Sequence, residues 1–135
     1  MSREIVMACG CFDVLHYGHL LHLQEAKAQG DWLIVALTSD EQVAAQKGAG
    51  HPMFKYEQRK AMLEALRCVD EVLKNDTPTP HDLINHIRPN VYAKGREYMF
   101  KLPEQEAVES YGGRVHFTTG EVYSSTRIIN ALRQS

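Results

Sequence analysis

The sequence predicts an α/β protein in which one five-stranded parallel sheet carries helices on both faces. Apolar runs typical of buried strands alternate along the 135 residues with segments whose apolar residues recur at helical spacing. The run at 32–37 is continuous rather than alternating, as expected of a strand buried on both faces of a parallel sheet. Short connections between these segments favour a single doubly covered sheet.

The first half of the chain contains a strand–helix–strand unit followed by two further helices. Its predicted elements are a strand at 3–9, a helix at 17–29, a strand at 32–37, a helix at 40–46 and a helix at 55–67. Gly30 marks the end of the first helix, and Ser39 supplies a side-chain cap for the next. Glycines and Pro52 interrupt the pattern at 47–52, where a mobile loop is predicted.

The second half continues the alternation. Its predicted elements are a strand at 69–73, a helix at 80–87, a strand at 91–93, a helix at 103–111, a strand at 115–117 and a helix from 124. Pro80 fits the first position of its helix and Pro89 stops it, while Gly112 and Gly113 close the following one. Together the elements predict a single Rossmann-like domain over residues 1–135.

The bulk properties narrow the classes of partner. A formal net charge of −2 and the lack of a long basic run argue against nucleic acid or an anionic membrane surface as the main partner. No apolar run approaches the ~20 residues of a membrane-spanning helix. Three cysteines and an N-terminus without a signal pattern predict a cytoplasmic protein.

The junction between the first strand and the first helix has the character of a phosphate site. A glycine turn at Gly10 leads into His16-Tyr-Gly-His19 at the helix start. Free backbone N–H groups and the positive end of the helix dipole meet there, which favours a bound phosphate. His16 and His19 are three residues apart and are expected on the same helix face, where imidazoles can donate to a phosphoryl oxygen.

A metal site is an alternative at the same junction. The thiols of Cys9 and Cys11 precede three histidines at helical spacing, His16, His19 and His22, and such ligands suit zinc. Against zinc, Cys9 belongs to a strand expected to be buried, where free cysteine is commonly a core residue. His22 is rotated by about 60° around the helix from His19. We therefore expect no metal ligated directly by the protein.

Positively charged residues elsewhere in the chain could together bind a polyanion. Lys47 lies in the glycine-flanked loop that can fold over a ligand, and Arg59 and Arg67 lie within about 80° of each other on the helix predicted at 55–67. Each of the three, taken singly, fits an ordinary solvated charge better than a ligand contact, whereas a polyanion accounts for all three together. The cap at Ser124-Ser125-Thr126 can also hold a phosphate on its free amides.

The pattern Gly10-x-Phe-Asp-x-x-His16-x-Gly-His19 resembles the signature of the nucleotidylyltransferases with a His-x-Gly-His motif, in particular their small cytidylyltransferase-like branch. The resemblance continues through Tyr56-Glu-Gln-Arg59 to Ser124-Ser-Thr. It implies transfer of a nucleoside monophosphate from a nucleoside triphosphate to a phosphorylated small molecule. It also implies release of pyrophosphate, Mg²⁺ bound with the triphosphate, and a homodimer.

The resemblance also assigns roles to residues. His16, His19, Lys47 and Arg59 would be catalytic, stabilising charge on the phosphates without a covalent intermediate. Arg67, Arg96 and Asp40 would bind the acceptor or its phosphate. The nucleotide would be bound by Gly10, Cys11, Phe12, Asp13, Gly18, Lys94, Gly95, Ser124, Ser125 and Thr126.

Two branches of the family compete for the substrate. The segment Tyr92-Ala-Lys94-Gly95-Arg96-Glu-Tyr98 resembles the Val-Lys-Gly-Gly-Asp-Tyr pattern of adenylyltransferase domains that act on heptose 1-phosphate, although Arg96 departs from it. Glycerol-3-phosphate cytidylyltransferases carry an Arg-Thr-Glu-Gly-Ile-Ser-Thr segment whose arginine and glycine are missing here. The resemblance thus favours ATP and a sugar 1-phosphate for surface glycan synthesis, served by a separate sugar kinase. CTP with glycerol 3-phosphate and a non-catalytic nucleotide-binding module are the alternatives.

Overall fold

A computed structural model describes residues 3–119 and confirms the predicted fold class. Its elements are β1 (Ile5–Gly10), α1 (Tyr17–Lys27), β2 (Trp32–Thr38), α2 (Asp40–Lys47), α3 (Tyr56–Glu64), β3 (Glu71–Asn75), α4 (His81–Ile87), β4 (Val91–Gly95), a 3₁₀ turn (Arg96–Tyr98), α5 (Gln105–Ser110) and β5 (Arg114–Thr118). The helix predicted from Ser124, with its cap, lies outside the described residues.

The sheet is entirely parallel and has the strand order β3-β2-β1-β4-β5. The chain winds outward from β1 to β3 on one side and resumes at β4 on the other side of β1. The winding therefore reverses between β1 and β4. In open parallel sheets, ligands bind beyond the carboxyl ends of the strands at such a reversal. The fold thus places a cleft above Gly10 and Gly95, where these two strands end.

Helices cover both faces of the sheet because the strands are apolar on both. On one face, α1 and α3 pack through Leu23, Ala26 and Leu63, and on the other α4 and α5 pack through Ile84 and Val108. All five side chains are fully buried. Successive residues of β1 serve opposite faces: Val6 and Ala8 belong to the first core and Met7 to the second.

Several boundaries differ from the predicted ones for local reasons. The helix expected at 55–67 ends at Glu64, so the chain has already turned when it reaches Arg67. Helix α2 continues through Lys47 to a left-handed cap at Gly48, with φ 90°. Gly30 follows the end of α1 at Lys27, and a Cβ atom there would lie 2.6 Å from the carbonyl oxygen of Glu4. Its role is a close approach to the chain before β1 rather than a helix cap.

Within residues 3–119, none of the helices combines the length and the apolar character that crossing a bilayer requires.

Candidate active site

A cavity of about 630 Å³ opens at the reversal point between β1 and β4. Its walls come from the turn after β1, the first turns of α1, the end of α2, the segment after β4 and the end of β5. The predicted site residues that line it are Gly10, Cys11, Phe12, His16, Gly18, His19, Lys47, Lys94, Gly95 and Arg96. The cleft therefore brings together most of the described residues that the sequence singled out.

His16 and His19 lie face to face at the start of α1. Their ring centres are 3.8 Å apart and the rings are inclined by 23°. The Nδ1 atom of His16 accepts a hydrogen bond from the Gly18 N–H at 3.1 Å, and Nδ1 of His19 accepts from the His16 N–H at 3.3 Å. Because Nδ1 is the acceptor in both rings, the neutral form of each carries its proton on Nε2.

Burial keeps both imidazoles neutral near pH 7. It lowers the pKa of His16, and it lowers the pKa of His19 to about 3, with further contributions from the charges of His16, His22 and Lys47. Each ring is thus a neutral hydrogen-bond donor through Nε2. Helix α1 begins at the same point, so its dipole adds positive potential to these donors. The arrangement is suited to oxygens that carry negative charge.

Phe12 sets the shape of the turn that leads to the histidines. Its φ of 45° lies in the left-handed region, which side chains other than glycine and asparagine rarely adopt. Its ring is buried and meets the His19 ring edge-on, with centroids 5.1 Å apart. The surrounding packing holds this conformation and orients His19.

Arg59 lies beneath the turn rather than in the cleft, which corrects the prediction that it meets a phosphate. It is 2% exposed. Its N–H groups donate to the carbonyl oxygens of Phe54, Cys11 and Thr38 at 2.8–2.9 Å. A fourth bond, at 2.7 Å, joins it to Asp40. Arg59 therefore fixes the positions of the segments around the cleft.

Asp40 and Asp13 are also engaged by neighbouring segments, against the prediction that they bind substrate. Asp40 accepts from Arg59 and from the Tyr56 N–H at 2.9 Å. Asp13 is 2% exposed and accepts from the backbone N–H groups of Met53 and Phe54 at 2.8 and 3.0 Å. Neither side chain lines the cavity. Both carboxylates anchor the segment before α3.

The two other predicted cations differ in position. Lys47 lines the cleft from the last turn of α2, although a loop was predicted there. Arg67 lies exposed beyond the end of α3 and does not line the cavity. The expectation that it shares a helix face with Arg59 is wrong because α3 ends at Glu64.

The β4 side of the cleft is built around Lys94. Its Nζ atom lies 3.6 Å from Cys9 Sγ and 4.5 Å from the centre of the Tyr98 ring. Burial acts to lower the pKa of Lys94, but the nearby Cys9, Tyr98 and Glu104 raise it, and the net shift is upward. The amine is therefore charged. Cys9 also contacts the hydroxyl of the buried Tyr92 at 2.8 Å.

His22 and Glu104 line the cleft too, and neither was predicted as a substrate-binding residue. His22 continues the three-residue spacing of His16 and His19, a signal that was considered for zinc alone. Burial lowers the pKa of His22 to about 4, with the charge of Lys94 as the next contribution. The sequence places Glu104 in the helix predicted at 103–111, where no signal distinguishes it from an ordinary exposed carboxylate; in the structure it directly precedes α5.

Among residues 3–119, no three histidine, cysteine, aspartate or glutamate side chains converge in a way that could hold a metal ion. The thiol of Cys9, considered as a zinc ligand, contacts Tyr92 and Lys94. The described residues therefore do not fit a protein-ligated metal. The predicted phosphate contacts at Ser124, Ser125 and Thr126 lie outside the described residues.

Residues 7–131 match the family model described as cytidylyltransferase-like. The chain is also similar to two curated proteins named bifunctional protein HldE. It is 43% identical to that of Geotalea uraniireducens over 98% of this chain, and 41% identical to that of Geobacter sulfurreducens over 97%. It spans 27% of the length of each of these relatives.

Solved structures show the same fold. A lipopolysaccharide core biosynthesis protein from Thermoplasma volcanium superposes with a TM-score of 0.71 and 28% identity, covering 91% of this chain and all of that one. A putative nicotinate-nucleotide adenylyltransferase from Vibrio parahaemolyticus superposes with a TM-score of 0.63 at 18% identity, covering 98% of this chain and 88% of that one. The second likeness concerns the fold alone.

Proposed function

The chain belongs to the cytidylyltransferase-like family of nucleotidyltransferases, and from this premise we propose that it transfers the adenylyl group of ATP to a sugar 1-phosphate such as heptose 1-phosphate. Pyrophosphate is the second product. The activated sugar serves the synthesis of surface glycans.

The pair of neutral imidazoles at the start of α1 carries this proposal. Their Nε2–H groups and the helix dipole act together in a cleft at the reversal point of the sheet. The charge of Lys47 lies at the same end of the cleft. Such a set stabilises the charge that builds on an α-phosphate under attack, which is the main demand of nucleotidyl transfer.

The reaction needs no covalent intermediate with the protein. An oxygen of the acceptor phosphate attacks the α-phosphorus, a new P–O bond forms, and the bond to the pyrophosphate oxygen breaks. His16 and His19 donate hydrogen bonds to the α-phosphate oxygens as their charge grows. Lys47 offsets the charge of the outer phosphates. No general base is required, because the phosphate nucleophile is already ionised.

Mg²⁺ is proposed to accompany the triphosphate and to be held by its phosphates, since the described residues bring no set of metal ligands together. Its chemistry when bound is to neutralise phosphate charge. A homodimer and a separate kinase that supplies the sugar 1-phosphate complete the proposal.

The choice of ATP and a sugar 1-phosphate is supported by similarity to HldE proteins at 38–43% identity. It is also supported by Lys94 and Gly95, which lie at the cleft in the segment that resembles heptose 1-phosphate adenylyltransferase domains.

A matrix of four nucleoside triphosphates against phosphorylated sugars and polyols tests the proposal. Products are separated by anion exchange and pyrophosphate is measured in parallel. We expect one new peak, with ATP and heptose 1-phosphate, that requires Mg²⁺. A peak with CTP and glycerol 3-phosphate would replace the proposed substrates. Saturable nucleotide binding without product across the matrix would identify a binding module.

A further inference from the structure

Glu104 is a buried carboxylate with nothing to bond to among the described residues. It is 9% exposed, and its Oε2 atom is fully buried without a hydrogen-bond partner. No lysine, arginine or histidine nitrogen of residues 3–119 lies within ion-pair distance of it. Buried carboxylates are normally paired, because removing the charge from water is costly. Since Glu104 lines the cleft, a ligand can supply the missing donor.

His22 lines the same cleft. Its Nδ1 lies 2.8 Å from the Thr118 hydroxyl oxygen, and that hydroxyl is also placed to donate to the Lys94 carbonyl oxygen at 3.4 Å. In that arrangement Nδ1 of His22 is the donor to Thr118, and Nε2 carries a lone pair that can accept from a ligand. This tautomer is the reverse of the one found for His16 and His19.

Lys94 connects His22 and Glu104. The charge of Lys94 contributes to the lowered pKa of His22, and the charge of Glu104 contributes to the raised pKa of Lys94. His22 and Glu104 therefore both lie within the electrostatic reach of the Lys94 amine in the cleft. His16 and His19, at the start of α1, present donors instead.

The groups presented to a ligand therefore differ between the His16 and His19 pair and the Glu104 and His22 pair. Phosphates carry acceptors and negative charge, and they suit the donors at His16 and His19 but not an unpaired carboxylate. A polyhydroxylated group carries donors, and a pair of neighbouring hydroxyls can serve a carboxylate and an imidazole together. Glutamate and aspartate bind ribose hydroxyls in this way in other nucleotide sites.

We propose that Glu104 and His22 form a subsite that binds the hydroxyl groups of a sugar, positioning it while its phosphate lies at His16 and His19. This inference rests on the proposed function and names a specificity determinant within it. The hydroxyls belong either to the acceptor sugar or to the ribose of the nucleotide.

Binding calorimetry on the whole chain tests the subsite with two pairs of probes. ATP against 2′,3′-dideoxy-ATP reports the ribose, and heptose 1-phosphate against inorganic phosphate reports the acceptor sugar. We expect the parent to prefer the hydroxylated member of one pair at least tenfold. Glu104→Leu should reduce that preference below threefold while changing the affinity for the hydroxyl-free member by less than twofold. His22→Phe should act in the same direction.

Glu106→Leu is the matched control, because Glu106 lies two residues further along, in the first turn of α5, and is exposed. It should leave both preferences unchanged. Thermal unfolding of each variant separates loss of the subsite from loss of the fold.

The inference is overturned if Glu104→Leu weakens hydroxylated and hydroxyl-free probes equally, or if the parent shows no preference in either pair. It is also overturned if the variant loses discrimination between ATP and inosine triphosphate instead, since that result would assign Glu104 to the base. A failure of the proposed function appears separately, as missing product in the transfer matrix, and leaves these binding ratios readable.

Discussion

The two sides of the cleft differ in how their buried charges are satisfied. Beneath the turn after β1, Arg59 makes four hydrogen bonds and Asp13 accepts two. Across the cleft, Glu104 is almost as buried and has no partner within residues 3–119. The buried charges of Arg59 and Asp13 are thus satisfied within the protein, whereas that of Glu104 is left for a ligand to satisfy.

This difference matches two separate demands on a transferase. Stabilising charge at a reacting phosphate requires donors that are already oriented, because reorganisation during the reaction raises the barrier. Recognising a substrate requires groups whose interactions form on binding, and an unsatisfied group then penalises any ligand that lacks the matching donor. The β1 side is suited to chemistry and the β4 side to selection.

The largest expected effect is on the rate of the reaction and concerns the histidines at the start of α1. His19→Ala should lower kcat by about 10²–10³-fold, because one oriented donor to the α-phosphate is lost. Steady-state pyrophosphate release with the best substrate pair measures it. His86→Ala, which alters an exposed histidine of α4, is the control. A rate for His19→Ala within threefold of the parent would contradict the role proposed for the imidazoles.

Arg59→Met should cost about 3 kcal/mol of folding stability, because three carbonyl oxygens lose the donor that Arg59 provides and Asp40 loses its cationic partner. Urea unfolding measures the loss. Arg67→Met is the control: that arginine is exposed, and the change should stay within about 0.5 kcal/mol. Equal effects of the two substitutions would show that burial of Arg59 contributes nothing to stability.

Lowering the pH should reduce the free energy of unfolding, because His19 and His22 resist protonation in the folded protein. The pKa of His19 is lowered to about 3 and that of His22 to about 4, so the unfolded chain binds protons near pH 6.5 that the folded chain does not. Stability is then full above pH 6.5 and is lost as the pH falls toward 4. At pH 5 the loss should be about 2 kcal/mol per histidine, because pH 5 lies about 1.5 units below the pKa of an unfolded histidine and above both folded-state values.

Unfolding midpoints between pH 7 and 5 measure this dependence. His22→Phe should flatten the curve and His86→Ala should leave it as it is. An unchanged slope in His22→Phe would mean that His22 titrates normally in the folded protein.

The smallest effect is expected at Glu104, on the β4 side of the cleft, where a substitution should increase the folding stability rather than lower it. Glu104→Leu should raise stability by up to about 1 kcal/mol, because it replaces a buried, unpartnered carboxylate with an apolar side chain. Glu106→Leu should be neutral. Destabilisation by Glu104→Leu would indicate that the carboxylate supports the fold, and the contrast between the two sides would disappear.

The sequence predicted the fold, and it brought His16, His19 and Gly18 to one cleft. Continuous apolar runs and turn residues placed the strands and helices of the described chain within a few residues, since a parallel sheet buried on both faces leaves a strong pattern. His16, His19 and Gly18 follow directly on β1, so position along the chain was enough to bring them together.

The sequence did not predict that Arg59 and Asp13 are buried and bonded to other segments, or that Glu104 lines the cleft. The family resemblance implied that Arg59 is catalytic and that Asp13 binds the nucleotide. Sequence spacing does not reveal that each meets backbone groups of a distant segment. Glu104 falls inside the helix predicted at 103–111, but it lies just before α5 and lines the cleft, and helical spacing does not show which charged residue at a helix start is buried.

The hydrogen bonds made by Asp13 and Arg59 also restrict the motion of residues 53–55. Residues 53–55 belong to no helix or strand, yet Asp13 holds the Met53 and Phe54 amides, Arg59 holds the Phe54 carbonyl, and Asp40 holds the Tyr56 amide. Releasing them requires the turn after β1 to open as well. This irregular stretch therefore belongs to the same cooperative unit as the sheet, and its amide hydrogens should exchange with solvent as slowly as those of β1.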